Sequence, residues 1–178
     1  EYSPGHHPHQ TGLYWGFTRV NGRDFFHNPS NGYWELQEAN VVSAEGEVVQ
    51  WETIYHLIGE DGEALMEETQ EWSMRDAGDE YFIDLVWSGQ AHTDITISEY
   101  DYGGLFLRMP FERGVTQGEV TNSARSKNQR AEGQRASWVN VGMQIEGRDS
   151  DDWGHIAIFD HPENDAYPMP WRVDRQMG

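Results

Sequence analysis

Residues 48–88 read V-V-Q-W-E-T-I-Y-H-L-I-G-E-D-G-E-A-L-M-E-E-T-Q-E-W-S-M-R-D-A-G-D-E-Y-F-I-D-L-V-W-S, and their alternation decides the fold. Over 48–58, Val49, Trp51, Tyr55 and Leu57 share one face, and Gln50, Glu52 and His56 share the other; Ile54 is the exception. A period of two marks a strand whose faces meet different surroundings. Glu60, Asp61 and Gly62 supply a turn into a second strand over 64–75. Residues 76–79, Asp-Ala-Gly-Asp, turn the chain again into a third strand over 80–88, which places Tyr81, Ile83, Leu85 and Trp87 together. Turn chemistry at such regular spacing predicts an antiparallel meander.

Further strands are expected at 92–99, 104–109, 136–146 and 154–159, and the stretches 13–17 and 171–175 are also strand-like. No segment shows a sustained helical period with caps. The 19 glycines suit a chain with many turns and bulges. No repeat, low-complexity tract or linker divides the sequence. The expectation is therefore all-β: one domain over 1–178, a large antiparallel β-sandwich of two sheets, cut at both ends from a longer domain. Long strands with one polar face suit a sheet that holds ligand.

Composition narrows the function classes. Hydrophobic residues make up 37% of the chain and mean hydropathy is -0.80. Apolar runs are far shorter than the ~20 residues of a spanning helix, so no membrane partner is expected. Without cysteine there is no disulfide, thiolate nucleophile or thiolate metal site. A net charge of -19 argues against nucleic acid, whose phosphates need a basic surface. Such charge also serves as a solubility device in proteins from salty water. Of the 12 basic residues, Lys127 is the only lysine, and four fall in the loop-like stretch 122–135: Arg125, Lys127, Arg130 and Arg135. Arginine presents a planar fork to carboxylate, sulfate or phosphate. This basic island reads either as an anion-binding lid or as a solvated loop. Nothing in the sequence indicates an oligomeric state.

Two segments carry chemistry-bearing side chains. Residues 6–16 read H-H-P-H-Q-T-G-L-Y-W-G, and residues 159–171 read F-D-H-P-E-N-D-A-Y-P-M-P-W. Pro8 biases His7 to an extended conformation, which sets His7 and His9 on one side. Paired imidazoles act as acid and base, or hold a metal. Asp160 to Asn164 leave an apolar strand, a place where function often sits. Adjacent strand residues face opposite ways, so the carboxylate partner expected for His161 is Glu163 or a distant residue rather than Asp160. The plain alternative is an Asx-type turn stiffened by Pro162, Pro168 and Pro170. Arg108, between Leu107 and Met109, is a salt-bridge partner or a clamp for a substrate carboxylate. Tyr102 offers a phenol. Trp15 and Trp171 offer flat apolar faces, and Glu163 and Asn164 offer sugar hydrogen bonds. Glu67, Glu68 and Glu71 are further candidate carboxylates near Trp72. No phosphate loop, serine elbow or H-E-x-x-H occurs.

The terminal segments, with V-N-G-R-D-F-F at 20–26 and G-G-L-F-L-R at 103–108, resemble the bacterial proteins labelled "PmoA family" or methane-oxygenase-like. Those proteins look like galactose-mutarotase-type β-sandwiches. The family pattern near the end is close to F-D-H-P-x-N-…-P-x-P-W. Near the start it is H-P-H-H-R-G-L, where this chain has Gln10 and Thr11 in place of the second His and the Arg. The resemblance implies work on oxidised or uronic sugars, as in similar proteins tied to ulvan degradation.

The function expected from these readings is a carbon–oxygen lyase, a dehydratase acting by β-elimination on anionic oligosaccharides. His7 or His9 would be base or acid and His161 the other partner, with Tyr102 in reserve. Arg108, Arg125 and Lys127 would bind the anionic substrate, alongside Trp15, Glu163, Asn164 and Trp171. No cofactor is required. The alternatives are an enzyme for 3-keto sugars with a divalent metal on His7, His9 and His161, and a non-catalytic carbohydrate-binding sandwich. A periplasmic or secreted bacterial location fits a polysaccharide substrate.

Overall fold

The computed structural model describes residues 12–28, 32–101, 103–109, 116–147 and 152–173. Within them every named sheet pairing is antiparallel and no α-helix occurs, so the fold is all-β and sandwich-like. Two compact units divide the chain at residues 12/13 and 107/108.

The unit over 13–107 holds the meander. Its strands are β1 Leu13–Gly16, β2 Trp34–Ser43, β3 Val48–Ile58, β4 Ala64–Asp76, β5 Tyr81–Ala91 and β6 Gly104–Leu107. β2 to β5 pair in sequence order, and β1 pairs with β6. The register aligns Leu57 with Met66, Tyr55 with Glu68 and Trp51 with Trp72. It then aligns Glu68 with Gly89 and Trp72 with Leu85. One sheet face is thereby mostly apolar, with Thr53, Glu68 and Gln70 as its polar members on β3 and β4. Leu57 and Met66 bury on it with Val20 and Phe25, and Phe17, Trp34, Trp87 and Ile95 pack round them. Trp34 adds a hydrogen bond from its indole N–H to the Phe25 carbonyl at 2.8 Å.

The strand expected at 92–99 is not formed. Its only ladder contact is an isolated bridge between Ile97 and Val20. The turn at Arg19 and Asn21 takes up its backbone instead: Asn21 N–H donates to Thr96 O, and Ser98 N–H to Arg19 O. The stretch 171–173 is likewise irregular. β2, unforeseen from the sequence, carries two register shifts, between Leu36 and Glu38 and between Val41 and Ser43.

The unit over 108–173 contains β7 Gly118–Asn122, β8 Trp138–Gln144 and β9 Trp153–Phe159, paired in that order, with a short 3₁₀ turn at Asn128–Ala131. Its core is Val120, Ala131 and Val139, with Val141, Ile158, Trp171 and Val173 against it. Gly142 lies opposite His155, where a Cβ would come within 2.5 Å of the imidazole, so only glycine lets that ring lie across β8.

Candidate functional site

The antiparallel register brings the end of β7, the start of β8 and the end of β9 to one edge of the three-stranded sheet. There Asp160 ends β9 with its side chain buried. Its N–H donates to Ser137 O at 2.9 Å. One carboxylate oxygen accepts from the Asn164 amide at 2.9 Å and the other from Met169 N–H at 2.8 Å. Two hydrogen bonds to a charged acceptor fix a loop that would otherwise wander.

Arg135 clamps the same loop from outside: its Nη1 donates to Ala166 O at 2.9 Å and to Pro168 O at 2.8 Å. The Trp171 indole donates to Ala136 O at 2.6 Å, and Glu132 accepts from Val173 N–H at 3.0 Å. His161 is exposed on this frame. Its Nδ1 accepts from Glu163 N–H at 3.3 Å. That assigns the proton of the neutral ring to Nε2, which is the nitrogen left for a ligand.

A basic turn is laced to the same edge. Asn122 is buried; its Oδ1 accepts from Ser126 N–H at 2.9 Å, closing a turn in which Arg125 adopts a φ of 63°. Ser123 N–H donates to Trp138 O, Ser137 N–H donates to Ser123 Oγ at 2.8 Å, and Ser137 O accepts from Asp160. This hydrogen-bond chain ties the Arg125 turn to the His161 loop. Lys127 is neutralised by Glu119 at 2.7 Å. Arg125 is exposed, and no carboxylate among the described residues pairs with it.

Of the residues singled out by sequence, His161, Glu163, Asn164, Trp171, Arg125 and Lys127 thus belong to one edge of one sheet. Their duties differ from those expected. Trp171 is a brace in the core rather than an open aromatic face, and Asn164 holds Asp160. Glu163 meets His161 through its backbone N–H and not its carboxylate. Trp15 lies in the other unit, stacked on Trp87 at 5.5 Å and edge-on to Phe17. Arg108 follows β6, half-buried, with its N–H donating to Gly12 O at 2.7 Å. His7, His9 and Tyr102 lie outside the described residues. The organising roles of Asp160, Arg135 and Ser137 escaped the sequence reading, although Asp160 stands inside the D-H-P-E-N segment.

The polar face of the four-stranded sheet carries a second group. His56 Nε2 lies 3.4 Å from Glu67 Oε2, and the His56 and His92 rings meet edge to face with centroids 5.7 Å apart. At 3.4 Å the imidazole–carboxylate contact is long for a hydrogen bond. Among the described residues no three His, Asp or Glu side chains are placed to hold a metal ion.

No curated protein and no solved structure matches the chain. A family model does match, over residues 1–178, and the chain belongs to that family, DUF6807, a family of unknown function.

Proposed function

We propose that this protein is a carbohydrate-active carbon–oxygen lyase, a dehydratase that forms an unsaturated uronic acid at the non-reducing end of anionic, ulvan-type oligosaccharides. One observation carries the reading: an exposed imidazole whose Nε2 is left for a ligand and an arginine paired with no carboxylate among the described residues are laced to the same sheet edge. An anion and a proton-transfer group at one place are what β-elimination beside a carboxylate requires.

In that reaction a base takes the proton α to the carboxylate. The electron pair forms the C4–C5 double bond, and the C4–O bond breaks as its oxygen is protonated and leaves as water. Arg125 neutralises the charge that grows on the carboxylate, the step that otherwise limits removal of so weak an acid. His161, presenting Nε2–H, stands on the acid side of the leaving oxygen. The base falls to His7 or His9, and Tyr102 and Arg108 are the reserve phenol and guanidinium. The resemblance to ulvan-degrading proteins supports a periplasmic or secreted bacterial enzyme. No cofactor enters this scheme.

The test is incubation with ulvan-derived oligosaccharides while following near-UV absorbance of the new double bond. Absorbance that appears with the wild type and is lost in His161→Ala and Arg125→Ala bears the reading out. No absorbance across several uronic substrates overturns it. Sugar retention that survives both substitutions, with no product, marks a binding module instead.

A further inference from the structure

Glu68 is 0% exposed, in the middle of β4, on the apolar face of the four-stranded sheet. Only one of its oxygens is satisfied: Oε1 accepts from the Gln70 amide at 2.6 Å. Oε2 is buried with no hydrogen-bond partner among the described residues, and so are the indole N–H groups of Trp15 on β1 and Trp87 on β5. Both indoles face the carboxyl closely enough to favour its ionised form, although neither closes a hydrogen bond. The two rings stack on each other at 5.5 Å. Gly89, opposite Glu68, makes this possible, because a Cβ there would come within 2.7 Å of the Trp87 ring. Three unpartnered polar atoms in one apolar box are a costly arrangement, and such groups call for a reason.

We propose that Glu68, Trp15 and Trp87 form a proton-operated clasp that fastens β1 to the four-stranded sheet and slackens as pH rises. A neutral carboxyl tolerates the dry box. An ionised one does not, unless the indole N–H groups close on it or water enters, and both require Trp15 and Trp87 to move apart or turn. Burial pushes the Glu68 carboxyl above the ordinary 4.5, outweighing the opposing effect of Gln70, Trp87 and Trp15. The folded chain therefore holds this proton more tightly than the unfolded chain. The stability it contributes is fully present below the ordinary carboxyl value and is lost as pH rises through the folded one.

The neighbours leave few rival titrations. At the flanking register positions stand Tyr55 on β3 and Gly89 on β5, with Met66 and Gln70 on β4. Glu67 and Glu71 on β4, and Glu52 and His56 on β3, turn to the opposite face by strand alternation. Tyr55 is the one titratable side chain on the same face beside Glu68, and no lysine, arginine or histidine stands at these positions. The clasp's readouts need no lyase activity, which keeps it separable from the catalytic reading.

The experiment titrates the wild type and Glu68→Gln from about pH 4 to about pH 9, following near-UV circular dichroism, melting temperature and amide exchange in β1. The wild type is expected to lose tryptophan dichroism and melting temperature at a common midpoint above the ordinary glutamate range. Exchange in β1 should quicken severalfold over the same range. Glu68→Gln, which keeps Tyr55 and the shape of the side chain, should lack that midpoint. Parallel profiles for the two proteins overturn the clasp. Should the variant fail to fold, carbon NMR of the wild type's labelled glutamate carboxyls decides: one carboxyl must titrate late, and a set that all titrate normally overturns it.

Discussion

Asp160 and Glu68 are both carboxylates buried against β-structure, but Asp160 meets a hydrogen-bond donor at each oxygen and Glu68 at only one. The difference separates two uses of a buried acid. A fully partnered carboxylate is a staple, because leaving its donors unmet costs more than the bonds gain. A half-partnered one in an apolar box is sensitive to its proton. The staple sits in a loop that would otherwise have no fixed shape. The sensitive group sits in a sheet whose shape is already set by its register. The largest effect should therefore come from breaking the staple. Asp160→Ala strips Asn164 and Met169 of their acceptor and should lower stability by about 3 kcal/mol. Chemical denaturation measures the loss, and a change under about 1 kcal/mol would show that the loop stands without it.

The glycines opposite the two regions sharpen the contrast. Gly89 and Gly142 each lie beneath a ring, and a methyl at either would collide: 2.7 Å from Trp87 at one, 2.5 Å from His155 at the other. The distances alone would rank Gly142→Ala as the worse change. The surroundings reverse that order. Trp87 is wedged between Trp15 and Phe17, and a Cβ at Gly89 would also meet the buried Met66 sulfur at 2.8 Å. His155 is exposed and can swing away. Gly89→Ala should cost about 2 kcal/mol and Gly142→Ala about 0.5 kcal/mol, read from thermal melts of the two variants side by side.

The fold was legible where the pattern was local. Strand 48–58 matches β3 to the residue, because its apolar residues alternate and a glycine turn follows. The shape of β2 was hidden by its two register shifts, each of which breaks the alternation that reveals a strand. Residues 92–99 alternate well but bond to a turn rather than a strand, a fact that lives seventy-odd residues away, at Asn21. The site divides the same way. His161 and the Asx-like turn were readable in D-H-P-E-N. The clamp by Arg135 spans more than thirty residues and was not. Nor could any local pattern single out Glu68 among 31 acidic residues, since what isolates it is Trp15 arriving from β1.

A smaller effect tests the outer half of the staple. Arg135 reaches two carbonyls with one nitrogen, and the planar guanidinium holds that nitrogen in place. Arg135→Lys keeps the charge but offers a flexible point donor. The expected loss is about 1 kcal/mol, with faster amide exchange confined to the stretch 164–168, whereas Arg135→Ala should spread it to Met169 and Trp171. Uniform exchange changes across the unit would mean that Arg135 acts on the whole sheet and not on the loop.

The smallest stability effects belong to the basic turn, and there their sign matters more than their size. Lys127 pairs with Glu119 on the surface, 63% and 42% exposed, so Lys127→Ala should change stability by only about 0.3 kcal/mol. Arg125 sits at a φ of 63°, a left-handed conformation that favours glycine. Arg125→Gly should therefore leave the protein as stable as before, or more stable by about 0.5 kcal/mol. If the guanidinium is there for an anionic sugar, the same substitution removes turnover on uronic oligosaccharides while the melting temperature holds or rises. On the proposed reading, the left-handed backbone at Arg125 is tolerated for the sake of an anion that its side chain binds. Unchanged turnover in Arg125→Gly would leave the strain without that explanation and move the anion-binding role to another arginine.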